Sequence, residues 1–207
     1  MNLNLVRRFF KFTVPSIVSM WIFSLYSLVD GMFVARGVSE SALAAVNIVS
    51  PFVNFLFSVS ILFAVGTSTI VAIYLGQGKH LEANQANTQN LIVSAAVSLL
   101  ITVVMWLGVN SAVRFLGATE ATMEYARHYI LSILPFAWCF ILSYTFETLV
   151  KTDGYPRFAT IVVSLGAVIN CILDYLFVMV FHWGVAGAGV ATGISQMIPV
   201  FLYLKHF

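Results

Sequence analysis

Long apolar runs, separated by short polar and charged stretches, dominate this sequence. A helix crosses a bilayer core of about 30 Å with about 20 apolar residues. Six runs reach that length, and they predict six transmembrane helices at approximately residues 13–34, 41–75, 90–109, 129–150, 158–181 and 186–204. The second run is too long for one crossing of the bilayer at about 1.5 Å per residue. We therefore expect its helix to be kinked near Pro51 and to project into water.

The composition supports a membrane protein and excludes several other classes. Charged residues make up 9% of the 207 residues and hydrophobic residues 60%, whereas soluble domains carry about 25% charged residues. A soluble domain and a disordered chain are both excluded, and the lipid bilayer is the solvent that suits this surface. The net charge of +2 is too small and too scattered for a nucleic-acid-binding face. No HExxH, CxxC or histidine cluster is present, so the sequence gives no support to a metalloenzyme.

The distribution of basic residues predicts the orientation. Six spans place both termini on the same side of the membrane, and cytoplasmic loops are enriched in Lys and Arg. The side of the termini carries seven basic residues and the other side three: Arg7, Arg8, Lys11, Lys79, Lys151, Arg157 and Lys205 against Arg36, Arg114 and Arg127. We therefore expect a multi-pass protein of the cell membrane with both termini in the cytoplasm.

Three acidic residues fall inside the predicted spans, where a charge costs at least about 2.5–3.5 kcal/mol and is usually functional. Asp30 and Asp174 lie near the outer ends of spans one and five, which places them in one layer of the membrane. Glu147 lies four residues before Lys151 near the cytoplasmic end. An ion pair along the helix accounts for Glu147, and its role stays open.

Further polar residues share the layer of the two aspartates. Asn170 lies one helical turn before Asp174, and Thr192 lies one to two turns into span six. If spans one, five and six pack together, these side chains form an oxygen-rich set. Two close carboxylates in a low dielectric cannot both ionise cheaply, so the pair would bind a proton or a small hard cation such as Na⁺. The alternative is a structural role, but no basic residue lies inside a span to pair with the acids.

Other polar positions are candidates for the lining of a cavity. Span two carries a polar stripe on one helical face, at residues Asn47, Ser50, Asn54 and Ser58. Both a water-filled cavity and hydrogen bonds between helices explain such a stripe. Tyr26 and Ser27 precede Asp30 by one turn, and Gln196 follows Thr192 by one turn. Pro15 in span one is a candidate point of helix bending.

Several motifs, in their order and spacing, resemble one transporter family. Pro15 is followed fifteen residues later by Asp30, and the sequence LGQGKH ends at His80. Span five contains NCILD, which ends at Asp174, and span six opens with GVAGAGVAT, which ends at Thr192. This pattern resembles the multidrug and toxic compound extrusion (MATE) family, close to its bacterial multidrug exporters, and the resemblance covers the whole chain.

The resemblance implies an all-α fold in which this chain is the N-terminal six-helix lobe of a twelve-helix, two-lobed transporter. Such proteins export cationic or amphipathic small molecules in exchange for H⁺ or Na⁺, with no other cofactor. The residues that match the family's cation site are Asp30, Asn170, Asp174 and Thr192. A cation bound there would bias the bend of helix one at Pro15. The chain lacks a second six-helix half, which we expect as its partner.

Two alternatives stay open at this stage. Flippases of lipid-linked oligosaccharides belong to the same broad superfamily, but they usually place basic residues in the cavity, and this sequence has none inside its spans. A truncated fragment that does not transport is the other alternative, and the length of the chain is its only support.

Overall fold

The computed structural model describes the backbone of residues 3–206, and the side chains of residue 6 and of residues 9–206. The side chains of Arg7 and Arg8, which contribute to the predicted orientation, lie outside this part. Helices form nearly all of the described part of the chain, and the described residues contain no strand. The α-helices are α1 (Leu3–Gly37), α2 (Glu40–Gly76), α3 (His80–Phe115), α4 (Glu120–Ile133), α5 (Ala137–Thr152), α6 (Pro156–Asp174) and α7 (Gly184–Leu204).

Two short irregular helices complete two of the spans. A 3₁₀ turn at Leu134–Phe136 joins α4 to α5, because Pro135 interrupts the regular hydrogen bonding there. A π-helix at Tyr175–Val180 continues α6 beyond Asp174. With these continuations, the described residues form six helical segments that are long and apolar enough to cross a membrane. The predicted all-α, six-span fold is thereby confirmed.

The helices extend beyond the predicted spans. The 37 residues of α2 correspond to about 55 Å at 1.5 Å per residue, so part of this helix must project beyond the bilayer core. The bilayer boundaries along each helix, and the kink at Pro51, stay predictions. We call the end of the bundle at which α1 ends and α7 begins the distal end, and the end that carries both termini the proximal end.

Packing divides the interior into two apolar clusters. α1 packs mainly on α6, α2 on α5 and α3, and α7 on α4, α5 and α6. One cluster includes Val34, Val49, Ile130, Phe140 and Val178, all of which are buried. The second cluster lies toward the proximal end and centres on Tyr203, whose hydroxyl donates a hydrogen bond to the Ala159 carbonyl at 3.1 Å. The other helices cover α1 and α3 less than they cover α4, α5 and α7. The exposed faces of α1 and α3 are apolar, as expected for contact with lipid.

Polar contacts hold the proximal end together. Lys151 Nζ lies 2.5 Å from Glu147 Oε1, so the predicted ion pair along the helix is present. His206 Nε2 lies 3.2 Å from Asp153 Oδ2, and the His206 ring stacks on Phe158. The contacts of His206 hold the chain just after α7 against Asp153 and Phe158.

Glycines allow α7 to approach α4 closely. A Cβ at Gly193 would overlap the ring of Phe136, and a Cβ at Gly189 would overlap the Ser132 hydroxyl. The contact therefore requires residues without side chains on this face of α7. Since Thr192 lies on the same helix, the close approach also determines where its hydroxyl lies.

We expect Gly193→Ala to destabilise the fold by about 1–3 kcal/mol, because the added methyl group overpacks the contact with Phe136. Gly66→Ala is the matched control, since Gly66 lies inside α2 and no atom lies within 4 Å of the position that an added methyl group would take. Both substitutions replace a glycine inside a helix by alanine, so they raise the helix propensity equally. The measurement is the temperature at which the detergent-solubilised protein loses its monodisperse elution. Equal midpoints for the two variants would contradict the close packing of α7 on the 3₁₀ turn that follows α4.

Candidate functional site

Two buried carboxylates meet between α1 and α6. Asp30 is 8% exposed and Asp174, the last residue of α6, is fully buried. The two carboxyl groups lie side by side and interact electrostatically. Among the residues that the structure describes, no lysine or arginine acts on either of them. The predicted meeting of these two acids is thus present in the fold, and their charge is not balanced by a basic side chain.

The local structure explains why these two residues meet. Asp30 lies seven residues before the end of α1, which is about 10 Å along the helix axis. Beyond the acids, α1 continues along the π-helix that follows Asp174, where Phe33 and Tyr175 form an edge-to-face ring pair with centroids 6.3 Å apart. Val34 and Val178 are both fully buried in the same apolar cluster. This apolar packing holds the distal part of α1 against α6.

Asn170 and Thr192 complete the predicted set. Asn170 is fully buried one turn before Asp174 on α6, and Thr192 on α7 is 6% exposed. The hydroxyl of Tyr129, on α4, lies beside the Thr192 side chain and close to both aspartates. Tyr129 is itself 5% exposed. Helices α1, α4, α6 and α7 therefore all contribute side chains to one polar cluster inside an otherwise apolar bundle.

Most side-chain polar atoms of the four predicted residues lack a hydrogen-bond partner in the described part of the chain. Six buried polar atoms form no hydrogen bond: Asp30 Oδ1, both carboxylate oxygens of Asp174, both side-chain polar atoms of Asn170 and the Thr192 hydroxyl. Leaving one such buried group unsatisfied costs about 1–3 kcal/mol, and more if it is charged. A site with this many unpartnered atoms is suited to a proton, a cation or ordered water.

The donor types fit a small hard cation. Carboxylate, amide and hydroxyl oxygens are the ligands that such ions prefer. No three His, Cys, Asp or Glu side chains converge anywhere in the described part of the chain. A cation here would therefore depend on the neutral oxygens of Asn170 and Thr192 as well as on the two carboxylates.

The candidate cavity-lining residues divide into two groups. Tyr26 is half-buried, and its hydroxyl lies near the Gln196 side chain and the two aspartates. Ser27 is exposed and donates its hydrogen bond to the Phe23 carbonyl of its own helix. Tyr26 and Gln196 thus border the acidic cluster, whereas Ser27 points away from the packed interior.

The polar stripe of α2 does not join the acidic cluster. Its residues face outward from the described chain: Asn47, Ser50, Asn54 and Ser58. At the depth of a membrane, polar side chains turn toward protein or water rather than toward lipid. This face of α2 therefore requires a partner surface or an aqueous cavity.

Pro15 is buried at the contact between α1 and α6. The Thr160 hydroxyl lies 3.0 Å from the Pro15 carbonyl and 3.2 Å from the Ser19 hydroxyl. It also lies 3.1 Å from the Pro156 carbonyl on its own helix. A polar contact between the two helices therefore lies at the predicted bending point of α1.

Sequence reasoning missed Tyr129 and Thr160. The hydropathy pattern marks Tyr129 only as the beginning of span four, although the depth argument applied to the acids would also place its hydroxyl in their layer. Thr160 gives no signal, since a threonine within a membrane helix usually bonds to its own backbone. Its contact with Pro15 depends on how α6 packs on α1, which the sequence pattern does not specify.

Residues 15–176 match the model of the family described as MatE. Among curated proteins, the chain is similar to the multidrug export protein MepA of Staphylococcus haemolyticus, with 22% identity over 99% of the chain and 45% of the relative. MepA of Staphylococcus aureus strain MSSA476 is 21% identical over 95% of the chain and 44% of the relative. The chain spans about half the length of these relatives.

Solved structures of MATE transporters share this fold. An outward-facing multidrug resistance MATE family transporter of the MOP superfamily superposes with a TM-score of 0.89 and 26% identity, over 96% of this chain and 44% of that chain. A MOP superfamily transporter from Pyrococcus furiosus gives a TM-score of 0.89 and 25% identity over the same shares. A MATE structure in the bent conformation gives a TM-score of 0.87 with 26% identity, again over 96% and 44%. The MatE model matches most of this chain, and the chain shares the six-helix lobe of MATE transporters. The chain therefore belongs to the MatE family of transporters.

Proposed function

We propose that this chain is the N-terminal lobe of a multidrug exporter that exchanges cationic or amphipathic molecules for H⁺ or Na⁺. The observation that carries the proposal is the buried pair of Asp30 and Asp174, which has no basic partner and is surrounded by unpartnered polar atoms. Such a pair gains a proton or a cation at low cost and loses it when the surroundings change. We propose both termini in the cytoplasm, as the basic residues predict.

A second six-helix half completes this transporter. The curated relatives are about twice as long as the region matched here. The exposed polar stripe on α2 supports the same conclusion, because Asn47 and Asn54 need protein or water to face within the membrane. We propose that the second half packs across this face and that the two halves enclose the drug cavity between them.

Charge favours cations as the exported molecules. The acidic pair has no lysine or arginine acting on it in the described part of the chain, and Tyr26 adds an aromatic ring at its border. Carboxylates and aromatic rings attract organic cations. The phosphate of a lipid-linked oligosaccharide would instead meet two like charges, which makes a flippase the weaker alternative.

Coupling follows if the coupling ion and the drug favour different conformations of α1. A proton or Na⁺ at the acidic pair removes the repulsion between the α1 and α6 carboxylates. Bending of α1 at Pro15 would then change the shape of the cavity. An ion shifts such an equilibrium only by its difference in affinity for the two states. MATE structures are known in a bent and in a straight conformation, which supports two conformational states for this transporter.

We expect Asp30→Asn and Asp174→Asn each to reduce gradient-driven efflux of a cationic dye at least about tenfold, which corresponds to about 1.4 kcal/mol. The reason is that a neutral amide cannot exchange a proton or bind Na⁺ as a carboxylate does. Dye efflux is measured in everted vesicles that carry the intact transporter, in which this lobe is joined by its second half.

The matched control for this assay is Asp153→Asn, because Asp153 lies in the α5–α6 connection and pairs with His206 outside the acidic cluster. It should retain wild-type efflux at equal expression. Undiminished efflux in both cluster variants would rule out the proposed coupling site.

Thr160→Val tests the contact between α6 and Pro15. Losing one buried hydrogen bond costs about 1 kcal/mol, so the population with α1 docked on α6 should fall about fivefold relative to the alternative. Spin labels at Phe12 and Lys205, both exposed near the proximal end, report the distance from α1 to α7 in a protein whose cysteines have been replaced.

Thr148→Val provides the comparison, since the Thr148 hydroxyl donates only to the Tyr144 carbonyl of its own helix. It should leave the distance distribution unchanged. If the Thr160 variant has the wild-type distribution, or if both variants change it equally, the contact at Pro15 does not hold α1 in place.

A further inference from the structure

An apolar groove runs between α1 and α6 on the outside of the bundle. Its volume is about 620 Å³. It is lined from α1 by Ile22, Leu25, Tyr26 and Val29, and its other wall is formed by α6 and the start of the π-helix. Leu25 is 61% exposed and Ile172, on the opposite wall, is 53% exposed, so the groove opens to the surroundings along its length.

The groove lies within two of the helices that are able to span the membrane. A groove at that depth that opens outward from the lobe faces lipid chains. From Ile22 to Val29 the groove follows α1 for about 10 Å, and it is a furrow between two helices rather than a broad flat face. A flexible hydrocarbon chain is the occupant whose shape and polarity fit.

A cationic side chain stands above the distal end of the groove. Arg36 follows Val29 by seven residues, or two helical turns, so it lies on the same face of α1 about 10 Å farther toward the distal end. Arg36 is exposed and forms no ion pair with any acidic residue that the structure describes. Phe181 and Trp183, also exposed at this end, are of the type that marks the head-group region of a bilayer.

We propose that this groove binds one membrane phospholipid, with an acyl chain between α1 and α6 and the phosphate at Arg36. Arginine is suited to phosphate because its guanidinium presents several donors in a fixed plane. The site is separate from the acidic cluster, but Tyr26 belongs to the wall of both. A bound chain therefore covers the lipid-facing side of Tyr26 and keeps water away from the acids behind it.

The test uses the full chain in vesicles that contain spin-labelled phosphatidylglycerol, with the nitroxide on an acyl chain. Electron paramagnetic resonance measures the fraction of lipid immobilised by the protein. Arg36→Gln should weaken the association about fivefold, the effect of one cationic side chain near an anionic head group. Val168→Trp and Ile172→Trp should each lower the immobilised component by about one lipid per protein, because the indole fills the groove from a position that is exposed.

Two variants serve as matched controls. Leu165→Trp adds the same bulk to α6 at an exposed position that does not line the groove. Arg114→Gln removes the other arginine that lies in the last turn of a helix at the distal end. Both controls should keep the wild-type immobilised fraction and, like the groove variants, elute as folded protein.

Four results would overturn the proposal. The first is an immobilised fraction that is unchanged in Arg36→Gln and in both tryptophan variants. The second is an equal loss in the control variants. The third is equal binding of spin-labelled diacylglycerol, which lacks the phosphate. The fourth is displacement of the lipid by tetraphenylphosphonium, which would assign the groove to the exported cations.

Discussion

Two carboxylates buried in a membrane without a basic partner are the constraint on which the rest of this structure depends. Each charge costs several kcal/mol in such surroundings, and the cost is reduced only by a proton, a bound cation or hydrogen-bond donors. No basic residue of the described chain neutralises Asp30 or Asp174, and three of their four carboxylate oxygens are buried without a hydrogen bond. A folded protein that keeps this arrangement needs a proton or a cation at the pair, and the proposed antiport rests on the exchange of that ion.

The fold places the rest of the site around that pair by close helix packing. Helix α7 approaches α4 closely where glycine at position 189 leaves room for Ser132, and Thr192 on the same helix lies beside Tyr129. Helix α1 is held on α6 at two places, by apolar contacts with the π-helix at the distal end and by the Thr160 hydroxyl at Pro15, inside the helix. Since α1 carries Asp30 between these two attachments, any change at the acids acts on a helix whose positions are already restricted.

The sequence predicts the six spans and the polar layer because both depend on local properties, hydropathy and depth along a helix. Asp30, Asn170, Asp174 and Thr192 are rare polar residues in apolar runs, so their depth alone suffices to group them. Tyr129 and Thr160 are not exceptional in that sense, and their roles depend on how helices rotate and pack, which hydropathy does not encode. The outward face of Asn47 and Asn54 also follows only from the packed structure, because the stripe itself is compatible with hydrogen bonds to a neighbouring helix.

We propose that the acidic pair exchanges a proton or Na⁺, and difference infrared spectroscopy of the protein in vesicles detects this exchange at the carboxyl groups themselves. The carboxyl bands are recorded while Na⁺ replaces K⁺ and while pH is varied around neutrality. We expect a protonated carboxyl band that is lost on addition of Na⁺ or of alkali, that is absent in Asp30→Asn or Asp174→Asn, and that persists when the exposed Glu124 is replaced by Gln. Two aspartates that remain ionised throughout this range and give no response to Na⁺ would contradict the claim.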